Sequence, residues 1–348
     1  MLTPGILLTT GAPRISTVMD MSNTPSPILS VIVPVKDEEV AIQAFVSRVS
    51  AVIEGLQDAA AQSYEILFVD DGSTDGTMAA IEAAHRDNPR VRAISLSRNF
   101  GKEAALSAGL DHVRGAAVVP MDVDLQDPPE VLGEMVAKWR AGFDTVYGVR
   151  KDRATDSLPK RLSADLYYKA HNLLSSDKIP DHAGDFRLLD RRVVDVIRAL
   201  PERNRFMKGL FAWGGFKSAS VEYVRAERTL GETKFKPWKL WTLALDGITS
   251  SSTVPLRIWT YVGGGIAALS FLYVFVIIAK VLIFGIAVPG YASLMVAILF
   301  FGGLQLLSLG ILGEYVGRIM VEAKQRPLYI VRDTIGMTEP EAARPTGK

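Results

Sequence analysis

No residue from Ile258 to Ala279 is charged, and none from Val281 to Gly313; a single lysine, Lys280, separates the two runs. The second run is broken by GIAVPG at 285–290, a turn-forming stretch. Each part reaches the roughly 20 apolar residues that a membrane-spanning helix needs. Two such helices in succession, joined by an uncharged turn, fit a membrane hairpin better than two buried core helices. Lys234, Lys236, Lys239 and Arg257 precede the first span, Arg318, Lys324 and Arg326 follow the second, and the joining loop has no basic residue. By the positive-inside rule both long ends face the cytoplasm. Just upstream, KLWTLALDGITSSSTVPL at 239–256 places Leu240, Trp241, Leu243, Ala244 and Ile248 at helical spacing. With Trp238 this predicts an amphipathic helix lying in the headgroup layer. The expected division is therefore an extension at 1–27, a catalytic-sized domain at 28–237, an interfacial helix at 238–256, two spans within 257–316 and a cytoplasmic tail at 317–348. The extension lacks the basic start and long apolar core of a signal peptide. It is expected to be disordered, with Met19 or Met21 as alternative starts.

The domain ahead of the membrane segment alternates between two patterns. ILSVIVPV (28–35), YEILFVD (64–70), VRAISLS (91–97), AAVVPM (116–121) and DTVYGV (144–149) read as strands, with amphipathic stretches between them. That rhythm predicts a mostly parallel, doubly wound α/β sheet, whose ligands bind beyond the carboxyl ends of the strands. The polar clusters fall there: KDEE, DDGSTDGT, RNFGKE and DVDLQD follow the first four strands in turn. The last of these, MDVDLQDPPE at 121–130, crowds Asp122, Asp124 and Asp127 into six positions. Carboxylates this close repel unless a cation lies between them. The chain has no cysteine and only four scattered histidines, so a metal would be held by oxygen, which favours Mg²⁺ or Mn²⁺. Asp127, just before two prolines, is expected to be a helix N-cap. Neither GxGxxG after the first strand nor a P-loop motif is present, which removes the main support for dinucleotide or P-loop binding. With 39 basic and 38 acidic residues, global charge does not argue for nucleic acid, and none is expected as a partner.

VIVPVKDEE, VDDGSTDGT, LSRNFGKEAAL and MDVDLQDPPE, in that order, resemble family 2 glycosyltransferases of the GT-A fold. Farther on, GDFRLLDRR (184–192), RNRFMKGLFAWGGF (203–216), ERTLGETKFKPWKLW (227–241), DGITSSSTVPLR (246–257) and LGEYVGRI (312–319) resemble the bactoprenol glucosyltransferase type, related to dolichol-phosphate mannose synthase. The QxxRW motif of processive members is absent. The resemblance implies a nucleotide-sugar donor, a divalent metal, inversion at the anomeric carbon and transfer to the phosphate of a membrane polyprenol. It also implies a homo-oligomer, commonly a tetramer, in a bacterial inner membrane. UDP-glucose is the simplest donor. Mannose, GlcNAc or an aminoarabinose derivative fits the same motifs, and a non-catalytic scaffold or flippase partner is the reading from another class.

Carried over residue by residue, the resemblance assigns Asp122 and Asp124 to the metal, with Gln126 as an added oxygen ligand. Pro34, Val35, Asp37, Glu38 and Asp71 line the nucleotide pocket, Asp71 accepting from the base, while Asp70 holds the turn. Arg98, Asn99 and Lys102 meet uridine or diphosphate, although Lys102 suits a solvated helix position equally well. Arg150, Arg161 and Lys234 hold the acceptor phosphate. Asp185 matches the catalytic aspartate, and Arg187 buttresses it or touches phosphate.

Overall fold

The computed structural model describes residues 27–151, 183–203, 205, 207–224, scattered positions between 263 and 283, and 290–337. Strands β1 (Leu29–Val35), β2 (Tyr64–Asp70), β3 (Val91–Leu96) and β4 (Ala117–Pro120) are buried along almost their whole length. Their apolar runs do not alternate because helices cover both faces. β1 pairs in parallel with β2 and β4, and β2 with β3. Alternation along β1 sends Val31 and Val33 toward one layer and Ile32 toward the other. The first layer packs on α1 (Ile42–Glu54), α2 (Thr77–Asp87) and α4 (Leu132–Arg140), through Phe45, Ile81 and Met135. The second packs on α3 (Lys102–His112) through Leu106 and Leu110. The expected doubly wound α/β sheet is present, and β5 (Thr145–Arg150) completes the five expected strands to within about a residue.

Three further strands reshape it. β6 (Ala183–Asp190) inserts antiparallel between β4 and β5, β7 (Ser218–Tyr223) runs parallel beyond β5, and β8 (Val331–Ile335) closes the far edge antiparallel to β3. The order is β7-β5-β6-β4-β1-β2-β3-β8. After β6, Asp190 caps α5 (Arg191–Ala199), its side chain accepting from the Arg192 amide. Helices α5 and α6 (Met207–Trp213) add Val194 and Phe211 to the second layer.

The long helix α7 (Tyr291–Lys324) ends at Gln325 in the left-handed conformation. At 34 residues it spans about 51 Å. Among the described residues it contains the one segment long and apolar enough to cross a membrane, Phe300–Lys324, none of which is buried. The described positions between 263 and 283 are helical as well. The expected interfacial helix at 238–256 lies outside the described residues. The expected tail from 317 onward carries ordered structure. The helix continues to Lys324, the chain turns back, and β8 joins the sheet. Tyr329 is 1% exposed and donates to Asp111 Oδ2 at 2.8 Å.

At the amino end of the sheet lies a closed charged cluster. Glu65 accepts from Arg92 Nη1 at 2.5 Å, from the Ser30 hydroxyl at 2.6 Å, and from Arg114 through its amide at 2.7 Å and Nε at 3.2 Å. Arg92 also donates to the Gly336 carbonyl just past β8, at 3.1 Å. Arg92 and Asp111 thus both tie the returning chain to the domain.

Candidate active site

The loops after β1 and β2 are tied to each other. Asp37 adopts φ +55°, accepts from the Thr74 amide at 2.8 Å, and its own amide donates to Ser73 Oγ at 2.9 Å. The Thr74 amide, with Lys36 adding to it, holds the Asp37 carboxyl below the usual carboxylate range. The Glu38 amide donates to Thr77 Oγ1 at 2.9 Å. Pro34 and Val35 end the strand beneath these loops. Asp70 is fully buried, accepting from the Ser73 amide at 3.0 Å and the Ser95 hydroxyl at 2.9 Å, so it holds the turn. Arg332 of β8 donates to that same hydroxyl at 2.9 Å. Gly72, at φ +70°, presses against the third loop: a Cβ there would lie 2.6 Å from the Arg98 carbonyl carbon. No other residue type fits so close an approach at a left-handed position.

Asp71 spends its two oxygens on the third loop, accepting from the Phe100 amide at 2.7 Å and the Gly101 amide at 2.9 Å. Burial pushes its carboxyl above the ordinary value despite these donors. The expected bond to a base has to share a carboxylate already holding the loop, and a carboxylate has lone pairs to spare. Arg98 and Asn99 are exposed, with the Arg98 guanidinium 4.0 Å above the Phe100 ring.

The constellation at the mouth of the site comes from β4 and β6. Their antiparallel register pairs Ala117 with Asp190 and Val118 with Leu189. Carried forward, it sets position 185 level with position 122. Lys102, the first residue of α3, reaches between them: its Nζ lies 2.7 and 3.0 Å from the two oxygens of Asp122 and 3.4 Å from Asp185 Oδ2. Burial works to lower the Lys102 pKa, but Asp122 and Asp185 outweigh it and raise it above the ordinary lysine value. Lys102 therefore commits its charge to the two carboxylates while its side chain stays 44% exposed to solvent.

Beyond β4 the chain turns through Leu125 at φ +54°, and the Gln126 amide donates to Asp124 Oδ1 at 3.2 Å. A left-handed leucine is strained, and such strain concentrates at functional loops. Gln126 is buried. The expectation that Asp127 caps the next helix fails: Pro128 occupies the cap position without a side-chain bond. Asp127 instead accepts from the Tyr223 hydroxyl at 2.6 Å, because β7 lies close enough to offer it a phenol. Burial, and then the Asp127 carboxylate, raise the Tyr223 pKa, which a hydrogen bond from Arg150 lowers in part. Nothing in the sequence around Tyr223 signals this link, which ties Arg150 to the carboxylate loop. Arg187, on the same face of β6 as Asp185, is 4% exposed and stacks its guanidinium 4.3 Å above the Phe211 ring. Arg161 and Lys234 lie outside the described residues.

Among the described residues, no three of His, Cys, Asp or Glu stand together as a ready metal cluster. Mg²⁺-type sites commonly take one or two carboxylates and complete their shell with substrate phosphates and water. Asp122 and Asp124 suit that pattern, and the Lys102 ammonium on both oxygens of Asp122 marks the position as one where a cation is stable.

A doubly wound sheet with carboxylates gathered beyond the carboxyl ends of its central strands is the layout of a GT-A glycosyltransferase domain. The sequence model described as glycosyl transferase family 2 matches residues 30–198, and the one described as the GtrB C-terminal hairpin matches 254–319. The bactoprenol glucosyl transferase of Shigella phage SfV is 52% identical over 305 residues, 88% of this chain and 98% of that protein. The prophage bactoprenol glucosyl transferase homolog of Escherichia coli (strain K12) is 51% identical over 304 residues, 87% of this chain and 98% of that protein. Among solved structures, glucosyl-3-phosphoglycerate synthase from Mycobacterium tuberculosis, in complex with Mn²⁺, UDP and glucosyl-3-phosphoglycerate, is 21% identical. Its TM-score is 0.44, over 64% of this chain and 77% of that one. The chain belongs to glycosyl transferase family 2, among the relatives of the bactoprenol glucosyl transferases, and is a glycosyltransferase.

Proposed function

We propose that the protein transfers glucose from UDP-glucose to the phosphate of a membrane polyprenol, undecaprenyl phosphate in a bacterium, with inversion. What carries this reading is the extent of the likeness: about half of all positions agree with bactoprenol glucosyl transferases along nearly their whole length. The acceptor's phosphate oxygen forms a bond to the anomeric carbon as the bond from that carbon to the diphosphate oxygen breaks, releasing UDP. Asp122 and Asp124, with Gln126 beside them, would hold Mg²⁺ or Mn²⁺ against the donor's diphosphate. That ion supplies charge neutralisation for the leaving group. Asp71 and the loops after β1 and β3 would hold the nucleotide, and Arg150, with Arg161 and Lys234 by the resemblance, would bind the acceptor phosphate. A phosphate monoester has a second pKa of about 6, so near neutrality the attacking oxygen needs little deprotonation. Asp185 therefore orients the acceptor rather than acting as an obligatory base, and the buried Arg187 acts through Asp185.

The reaction belongs at the cytoplasmic face. β8 and Tyr329 rejoin the domain that the chain left before its apolar segments, which supports an even number of membrane crossings. A two-span hairpin with both ends inside is the simplest solution. The test incubates purified protein and undecaprenyl phosphate with a panel of nucleotide sugars, reading lipid products by mass spectrometry. Glucosyl phospholipid from UDP-glucose is expected. A product formed only with another sugar would overturn the donor, and no lipid product with any would overturn the reaction.

A further inference from the structure

The start of α3 at Lys102 follows backbone held by an acid. Asp71 fixes the amides of Phe100 and Gly101, and Gly101 turns at φ +99° to start α3 at Lys102. From there the ammonium reaches both oxygens of Asp122, and Asp185 Oδ2 at 3.4 Å. These three contacts match its three protons, which it can only donate. Two carboxylates this close, one just past β4 and one on β6, repel, and a shared cation removes the repulsion. Here that cation belongs to the chain itself.

The oxygens of Asp122 that Lys102 occupies are also those a divalent ion would need, and the like charges of the two cations oppose one another there. We propose that Lys102 is an exchangeable internal cation. It bridges Asp122 and Asp185 while the donor is absent, yields Asp122 to the divalent ion that accompanies a nucleotide-sugar diphosphate, and keeps Asp185. This rests on reading Asp122 as a metal ligand. Two consequences separate it from a lysine that only touches donor phosphates. In the free protein Lys102 competes for Asp122, so ion binding is weaker than the carboxylates alone would give. After the exchange its charge stays beside Asp185 and offsets the repulsion between that carboxylate and an incoming acceptor phosphate.

The test titrates full-length protein in nanodiscs, without donor, with Mn²⁺, following the free ion by electron paramagnetic resonance. Lys102→Met keeps the side-chain length and removes the charge; Lys102→Gln is the second neutral variant should the first unfold. The neutral variants should bind Mn²⁺ about tenfold more tightly than the unsubstituted protein, since a unit charge a few ångströms away contributes at least that much. Lys102→Arg should bind close to the unsubstituted level. Adding Asp122→Asn should remove the binding in either background. Equal or weaker binding in the neutral variants, still abolished by Asp122→Asn, would overturn the exchange and leave the metal site standing. Binding indifferent to Asp122→Asn, or no measurable binding in the neutral variants, would overturn the metal site and the exchange together.

Discussion

The two ends of one sheet each hold a bridged charge cluster, and the clusters are built in opposite senses. At the amino end a single carboxylate, Glu65, receives two guanidiniums, a hydroxyl and an amide, with its side chain and that of Arg92 each 2% exposed. At the carboxyl end a single ammonium serves two carboxylates, and all three side chains are roughly a third to nearly half exposed. The Glu65–Arg92 pair is satisfied within the protein and sealed from solvent, with Arg114 at its rim 29% exposed. The second cluster is open to water, where a further ion can reach it. One arrangement can only hold strands together, whereas the other can exchange partners. Position at the carboxyl edge decides which is functional, because there the strands end and loops can open to a ligand.

The largest test of that contrast removes the acid at the sealed end. Glu65→Ala leaves Arg92 buried without its carboxylate and should cost about 3–5 kcal/mol, read from denaturant unfolding. A cost near zero would erase the distinction between the clusters. Burial alone would raise the Glu65 pKa, but Arg92, Ser30 and Arg114 more than offset this and lower it. A depressed folded-state value means stability present above the ordinary glutamate pKa and lost as pH falls through the folded one. Stability should therefore decline with acidification below about pH 4.5. Glu65→Gln should flatten that limb.

At the open end the reverse is expected. Asp124→Asn should lower turnover about 100–1000-fold while unfolding is unchanged, because the sheet does not depend on this carboxylate. Equal activity in the presence of a chelator would remove the metal from the reading. Next comes Asp185→Asn, with a drop of about a hundredfold if the residue orients the acceptor. That drop should stay level from mildly acidic to mildly alkaline pH. A defect that shrinks steadily as pH rises would make Asp185 an obligatory base and would bring the site closer to ordinary acid–base chemistry.

The smallest effect belongs to the segment that bridges the two ends. Tyr329→Phe deletes the bond to Asp111 from a buried phenol and should cost about 1 kcal/mol in stability with catalysis unaltered. Altered donor affinity would mean that the returning strand reaches the site, through the bond from Arg332 to Ser95.

Much of the sheet was legible because β1 to β5 are continuous apolar runs bounded by turn residues, and such runs carry their own signal. β6 was not, although GDFRLLDRR stood out as a motif. Its alternation of Asp185, Arg187 and apolar residues says nothing about which strands will flank it. β8 is a polar pentapeptide, VRDTI, that becomes a strand only because β3 offers a free edge. The site divided in the same way. Asp122, Asp124 and Asp185 were named from their motifs, whereas Asp127 looked like a helix cap until β7 brought Tyr223 to it.

By itself, then, the order of residues determined the parallel core, the edge at which the polar and acidic loops gather and the apolar segments near the C-terminus. These are local properties: periodicity, side-chain chemistry and the length of an uncharged run. What only tertiary structure decided was partnership. Lys102 became the cation between Asp122 and Asp185 because an antiparallel strand set those two acids level and Asp71 fixed the start of α3 beside them. The C-terminal residues became part of the domain because Arg92 and Asp111 were there to receive them. Charges far apart in sequence interact according to distance and burial, and both are set only when the chain has folded.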